Sequence, residues 1–458
     1  MALAAPVAPI GAHPLLLFLL QVSVLLLLAL LLGRVAVRLG MPAVVGELCT
    51  GALLGPSLLD HVAPGVAGWL LPQDPGQFHL LDAVGQLGVL LLVGITGIEV
   101  NFALVRRRGL TAARVSVAGF IVPLGLGVAT GFLLPVSLVP GGGDRTVFAL
   151  FLGVAMSVSA IPVIAKTLMD MNLLHRTVGQ LILAAGMVDD VFGWLMLSVV
   201  AAMATTGVSA GQVGLSLLYV AGVVAFAATI GRFMVRAAVR ASVRSTQDGV
   251  PVATAVIIVL AGAAATHALG LEAVFGAFVG GILVGACRRV DLTRLAPLRT
   301  VVLGVLAPLF FATAGLRMDL TALRDPTTLL AAVVVLFIAI IGKFAGAYIG
   351  ARASRLSAWE ALALGSGMNA RGVIEVVVAM VGLRLGVLST ATYTIVVLVA
   401  IVTSVMAPPV LRTAMRRIDQ TAEEQLNEGA RLGPVGPLRA AVTSAPAPVP
   451  RAVEIERI

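Results

Sequence analysis

The sequence predicts an all-α, polytopic membrane protein of about 13 transmembrane helices, arranged as two inverted six-helix repeats with discontinuous helices 5 and 12. Three observations predict it: a deficit of charge, apolar runs of bilayer length, and an alternation of arginine along the chain. Of 458 residues, 59% are hydrophobic and 12% are charged, with a mean hydropathy of +1.06. A water-facing globule carries about 25% charged residues, too many for this chain to match. Segments such as Leu15 to Leu32 and Leu329 to Ile341 are apolar nearly all round, as a hydrocarbon layer of ~30 Å requires of a helix that crosses it. The alternating ten-residue pattern of a membrane barrel is missing.

Hydropathy and breakers place the spans near 14–38, 42–59, 84–100, 112–136, 146–170, 177–205, 212–240, 250–268, 272–288, 298–316, 327–352, 358–383 and 388–416. Ends of odd-numbered spans hold 21 basic residues against 4 on the opposite side. That bias sets the N-terminus outside and the C-terminus in the cytoplasm, and assigns the arginines to topology. The net charge of +9 is therefore no sign of nucleic-acid binding. The first apolar run has no basic segment before it and reads as a span, not a removed leader. Cys49 and Cys287 lie in separate apolar stretches and read as packing residues. Two units follow: a transmembrane domain over 1–417 and a polar, then Ala/Pro-rich, disordered cytoplasmic tail over 418–458. The tail has no glycine-rich dinucleotide fingerprint, and no cofactor is expected.

Two spans carry interruptions. Span 5 reads Ser157-Val-Ser159-Ala-Ile-Pro162, and a proline cannot donate to the carbonyl four residues back. Span 12 reads Gly365-Ser-Gly367-Met-Asn369-Ala-Arg371-Gly372. If spans 1–6 and 8–13 are six-helix units, each break falls at the fifth position, and the units are inverted because span 8 starts on the opposite face. Matching broken helices in inverted halves point to a transporter's binding site.

Charges within the spans point the same way, since an ionised side chain at the membrane centre costs roughly 2.5–3.5 kcal/mol or more. Asp189 and Asp190 lie in span 6, Asp190 about 13 residues or ~20 Å from the end near Thr177. Lys343 lies mid-way along span 11. Neighbours on a helix point about 100° apart, so one aspartate can face Lys343 while the other faces a water-filled cavity. A carboxylate there holds a proton or a dehydrated cation, never both, and that competition couples two fluxes. Ser157, Ser159 and Asn369 are candidate neutral oxygens near such a site. Arg371 and Glu375, four residues apart, are placed to neutralise each other, and Glu47 and Glu99 read as packing or interfacial groups. The five histidines lack metal-ligand spacing.

Four motifs in order now carry a resemblance: Ser157-Val-Ser-Ala-Ile-Pro-Val-Ile-Ala-Lys166, the Asp189-Asp190 pair, Lys343, and Gly367-Met-Asn-Ala-Arg-Gly-Val-Ile-Glu375. Over roughly residues 15–416 the chain resembles the cation:proton antiporter-2 family of sodium/proton and potassium/proton antiporters, Kef-type systems and plant exchangers. The resemblance implies a homodimer in the cell membrane whose core domain moves like an elevator against a scaffold. It implies Asp190 as the principal site for cation and proton, and Asp189 as the partner of Lys343 that also joins the coordination. Kef-type members carry a nucleotide-binding domain where this sequence has its polar tail, and the span 12 motif is closer to the plant exchangers.

The function expected is a secondary antiporter, not an enzyme, that exchanges Na⁺ or K⁺ for protons, the transported alkali ion being the metal held by Asp190 and Asp189. A proton-coupled exporter of an organic solute or ionophore is the alternative on the same fold. An intramembrane aspartyl protease would need carboxylates from two helices, and its G-x-G-D pattern, at Gly141 to Asp144, falls in an expected turn.

Overall fold

The computed structural model describes residues 10–419 except 73, 142, 172, 175, 208–209, 246, 248 and 288–291. Among the described residues every regular element is a helix. The expected tail lies almost wholly outside them, its first two residues excepted.

The chain opens with α1 (Ala12–Arg38) and α2 (Ala43–Leu54), two short helices α3 (Leu59–Val62) and α4 (Pro64–Leu70), and α5 (Pro75–Ile98). Next come α6 (Phe102–Leu133), a broken pair α7 (Arg145–Ser157) and α8 (Ile161–Asp170), and α9 (Thr177–Thr206). A π-helical turn, Ala227–Gly231, joins α10 (Ala210–Phe226) to α11 (Arg232–Val243). Then follow α12 (Gly249–Ala268), α13 (Ala273–Gly285), α14 (Ala296–Val301) and α15 (Ala307–Gly315). The chain continues through α16 (Pro326–Ala353), a second broken pair α17 (Ala358–Met368) and α18 (Val373–Arg384), and α19 (Thr390–Met415).

Among the described residues ten helical stretches are long and apolar enough to cross a bilayer, counting α2–α3, α10–α11 and α14–α15 as one each, or eleven with α17 and α18, bent by 45°, taken as one span. All thirteen expected segments contain helix, but α7 and α13 are too short to span alone. The starts of two helices differ from expectation. α5 begins at Pro75, not near 84, and α6 at Phe102, not near 112. Asp74 accepts from the Gly76 N–H and Asn101 from the Leu104 N–H, so both helices are capped in the polar interface, where hydropathy gives no signal. Within α6 the chain kinks at Gly109, whose φ of 47° suits glycine. Asp144 of the G-x-G-D pattern is the N-cap of α7, accepting from Thr146 and Val147 N–H.

The helices pack as two bundles. α1, α2, α5, α12, α13 and α15 pack among themselves, and α6 to α9 pack with α16 to α19. Glycines lock each bundle internally. A Cβ on Gly281 would strike the backbone of Gly94, and one on Gly51 that of Ala312; in the second bundle Gly346 meets Ala118 and Gly127 meets Gly153. Among the described residues none of these interlocks joins one bundle to the other.

Contacts between helix ends keep two faces apart. On one, Arg299 pairs with Glu99 at 2.9 Å, Arg114 reaches the Ala353 carbonyl and Arg176 that of Ile418. On the other, Arg317 pairs with Asp82, and Ser389 and Thr392 reach the Leu138 carbonyl. The first is the arginine-rich face of the sequence pattern.

Overpacking at a backbone contact costs about 1–3 kcal/mol, so Gly281→Ala should lower the melting temperature in detergent by several degrees. Gly125→Ala, which meets nothing within 4 Å, should leave it unchanged. Thermal unfolding followed by circular dichroism compares the two.

Candidate ion-binding site

The two broken helices meet at their breaks. Val158 to Ala160 are extended between α7 and α8, with Pro162 in the first turn of α8, where its missing N–H costs nothing. The Ala160 N–H donates to the Ala370 carbonyl at 3.0 Å, which ties one break to the other. At Gly372 an added Cβ would crowd Val163 of α8, so the small residue permits the crossing.

A helix that stops inside the membrane leaves its last four carbonyls without intrahelical partners and carries a partial negative charge there. In α7 all four find side chains. The Ser157 hydroxyl donates to Val154 O, Arg371 donates to Ala155 O and Met156 O, and Lys343 Nζ donates to Ser157 O at 2.5 Å. Arg371 also reaches Ala339 O at 3.1 Å and Glu375 at 3.2 Å, all without exposure to solvent. Its planar fork suits a bouquet of carbonyls that a lysine could not serve.

Lys343 is therefore positioned by the break, and its second bond defines the carboxylate pair. Nζ lies 2.6 Å from Asp189 Oδ2, both groups fully buried. Ser116 Oγ donates to Asp189 Oδ1 at 3.0 Å. The Ser159 hydroxyl lies between Asp189 Oδ2 (2.8 Å) and Met368 O (2.6 Å), with one hydrogen for the two. Asp189 is thus engaged at both oxygens. Asp190 is the opposite case: both its oxygens are buried, and among the described residues no donor reaches them. The charges that act on it are those of Asp189 and Lys343. Asn369, in the second break, has both amide atoms buried and unpartnered.

The sequence expectations divide accordingly. Asp189, Asp190, Lys343, Ser159 and the Arg371–Glu375 pair surround the crossing. Ser157 contributes its carbonyl, not the hydroxyl oxygen expected. A carboxylate facing a water-filled cavity is not what this conformation holds, because Asp190 has no solvent-exposed surface. Glu99 is half exposed and paired with Arg299, whereas Glu47 is buried beside a groove between α1 and α2. Ser116 was not singled out, since a lone serine in an apolar span carries no sequence signal. The Pro162 and Lys166 side chains lie outside the described residues.

A family model described as "Sodium/hydrogen exchanger, transmembrane" matches residues 23–417. The chain belongs to the sodium/hydrogen exchanger family. This exchanger-family chain is similar to the Na⁺/H⁺ antiporter NhaS4 of Synechocystis sp., with 32% identity over 402 residues, 87% of this chain and 97% of that one. Cation/H⁺ antiporter 17 of Arabidopsis thaliana is 30% identical over 404 residues, 87% of this chain and 48% of that one. K⁺/H⁺ antiporter 1 of Saccharomyces cerevisiae is 28% identical over 413 residues, 87% of this chain and 46% of that one. The chain thus spans about half the length of these last two. Its fold matches the solved sodium proton antiporter MjNhaP1 of Methanocaldococcus jannaschii with a TM-score of 0.64 at 16% identity, over 88% of this chain and 97% of that one. The family resemblance read from the motifs holds, and the exchanger is a transporter rather than an enzyme.

Removing one partner from a buried charged network costs about 3–5 kcal/mol. Arg371→Ala should destabilise the protein by that amount, and Arg371→Lys should recover little of it. Denaturant-dependent unfolding in detergent measures both.

Proposed function

We propose that this chain exchanges a monovalent alkali cation, Na⁺ or K⁺, for protons across the cell membrane, with Asp190 as the group that either ion occupies. One observation carries this reading: a fully buried carboxylate with two unpartnered oxygens, next to a second carboxylate that is fully engaged. Burying a bare carboxylate is costly, and a proton or a cation removes that cost equally well. Asp189, held by Ser116, Ser159 and Lys343, supplies the neighbouring negative charge that favours either guest. Lys343 limits that charge to a value one proton or one cation can balance. The names of the similar proteins, which include Na⁺/H⁺, K⁺/H⁺ and cation/H⁺ antiporters, support exchange without choosing the ion.

Sealed as it is here, Asp190 needs a conformational step to meet either solution. Two internally interlocked bundles support displacement of one against the other, an elevator-like motion in which α6 to α9 and α16 to α19 carry the site. In this reading the arginine-rich face is cytoplasmic, the N-terminus is outside, and the remaining bundle is the scaffold of a homodimer. An organic-solute exporter would ask for a roomy chamber at the carboxylates. An apolar groove of about 540 Å³ lies away from them, between α10–α11 and α12–α13.

In everted vesicles holding a pH gradient, NaCl or KCl should collapse the gradient for the unaltered protein. Asp190→Asn should reduce that response to background while leaving the fold intact. Asp189→Asn should reduce both exchange and melting temperature, since it strands the Lys343 charge. Full exchange by Asp190→Asn in the pH-dye assay would sink the assignment.

A further inference from the structure

Along α9, Asp190, Trp194 and Ser198 recur every four residues and therefore share a stripe. That stripe faces the other bundle. Trp194, fully buried, packs on Phe278 of α13 with ring centroids 6.1 Å apart, and its Nε1–H has no partner. Ser198 accepts from the backbone N–H of Glu272, the N-cap of α13, at 3.3 Å. A line therefore runs from Asp190, past an aromatic pair, to Glu272 over ~12 Å of helix, toward the arginine-poor face.

Glu272 is itself an anomaly. It is 6% exposed, Oε1 is bound by Arg384 Nη2 at 2.5 Å, and Oε2 is buried with no partner. Arg384, nearly half exposed, reaches it from the end of α18 across the seam between the bundles. Beside them lies a cavity of about 140 Å³ lined by Asp82, Gln86, Arg317, Arg384, Val274 and Val377. At ~30 Å³ per water it has room for an ion with several waters. Val377 sits one turn into α18 from its start at the crossing. The cavity thus leads from the face inward, and both the partner of Glu272 and its near neighbour Val274 line its wall.

We propose that Glu272 is a second cation site, a way-station on the arginine-poor side through which a monovalent cation reaches or leaves Asp190. The cation replaces the Arg384 guanidinium on the Glu272 carboxylate, drawing on its unpartnered oxygen and the Ser198 hydroxyl. It then passes Trp194 and Phe278, which close the route over Asp190. Because Glu272 and Arg384 belong to different bundles, occupation of the site also unfastens one of the polar contacts across the seam. Among the described residues the others are Tyr393 Oη to Ala314 O at 2.7 Å, Asp319 N–H to Thr394 Oγ1 at 3.0 Å, and the Ser198 bond. All lie toward the same face. This inference rests on the proposed exchange at Asp190, but it assigns a separate group.

The test uses the full chain with Trp69→Phe and Trp359→Phe, both exposed positions, so that Trp194 is the sole tryptophan and is excited selectively at the red edge, where tyrosine does not absorb. NaCl and KCl are titrated against choline chloride. In the Asp190→Asn background a weak, saturable Trp194 response to Na⁺ or K⁺ should persist. Adding Glu272→Gln should abolish it, and Glu272→Asp should retain it. Arg384→Gln frees the carboxylate and should tighten the response by about tenfold, as removal of a competing bound state does. Absence of any response in the Asp190→Asn background, persistence with Glu272→Gln, or an unchanged midpoint with Arg384→Gln would each overturn the way-station. If exchange in the pH-dye assay is intact while any of these occurs, only the way-station falls. If the unaltered protein exchanges neither ion, the exchange reading falls and this one with it.

Discussion

The arrangement around the carboxylates follows from one constraint: α7 ends in the middle of the membrane, and its four last carbonyls must be satisfied there. Water is not at hand, so the donors are side chains, and two of them are cations. Arg371 is balanced by Glu375 four residues along the same helix. Lys343 has no such neighbour on α16, and its counter-charge comes from α9 in the form of Asp189. Once Asp189 is committed to that duty, with Ser116 and Ser159 at its oxygens, its sequence neighbour has both oxygens without a partner among the described residues. The unpartnered carboxylate of Asp190 is thus the last step of a chain that begins with an unfinished helix.

The distribution of close packing adds a second theme. Backbone-to-backbone contact, the stiffest kind available to helices, occurs inside each bundle, while the boundary between them is made of side chains and a few hydrogen bonds. Such a boundary shears more readily than one locked by glycines. The proposed exchange needs this property, because the buried site has to meet two solutions in turn. It also makes the polar contacts that cross the boundary the places where the proposed way-station cation would act.

Much of this can be read in the amino acids. The charges too costly for a bilayer, Asp189, Asp190, Lys343, Arg371 and Glu375, do gather at the crossing, and the breakers Pro162 and Gly372 do flank the breaks. Their place inside apolar spans singles them out, because a bilayer leaves few reasons to keep a charge there. What escapes is of two kinds. Helix starts in the interface, at Pro75 and Phe102, depend on Asp74 and Asn101 as caps, which look like ordinary loop residues. Pairings across the fold, such as Ser116 with Asp189 or Arg384 with Glu272, join residues 73 and 112 positions apart. No local pattern records them. The exact number of spans is obscured likewise, since α7 and α13 have the composition of a span without its length.

The helix that carries the chain from one bundle to the other has a division of its own. α10 packs on α9, whereas α11 packs on α12 and α13, and the π turn at Ala227–Gly231 sits where allegiance changes. An extra residue in a helical turn loosens the hydrogen-bond ladder locally, so the rod can bend there without breaking. Only 17% of the rod's apolar window is buried within the protein, so most of it faces outward. In a bilayer that outward surface meets acyl chains, so membrane thickness or fluidity becomes a mechanical input to the proposed shift of the two halves of the molecule.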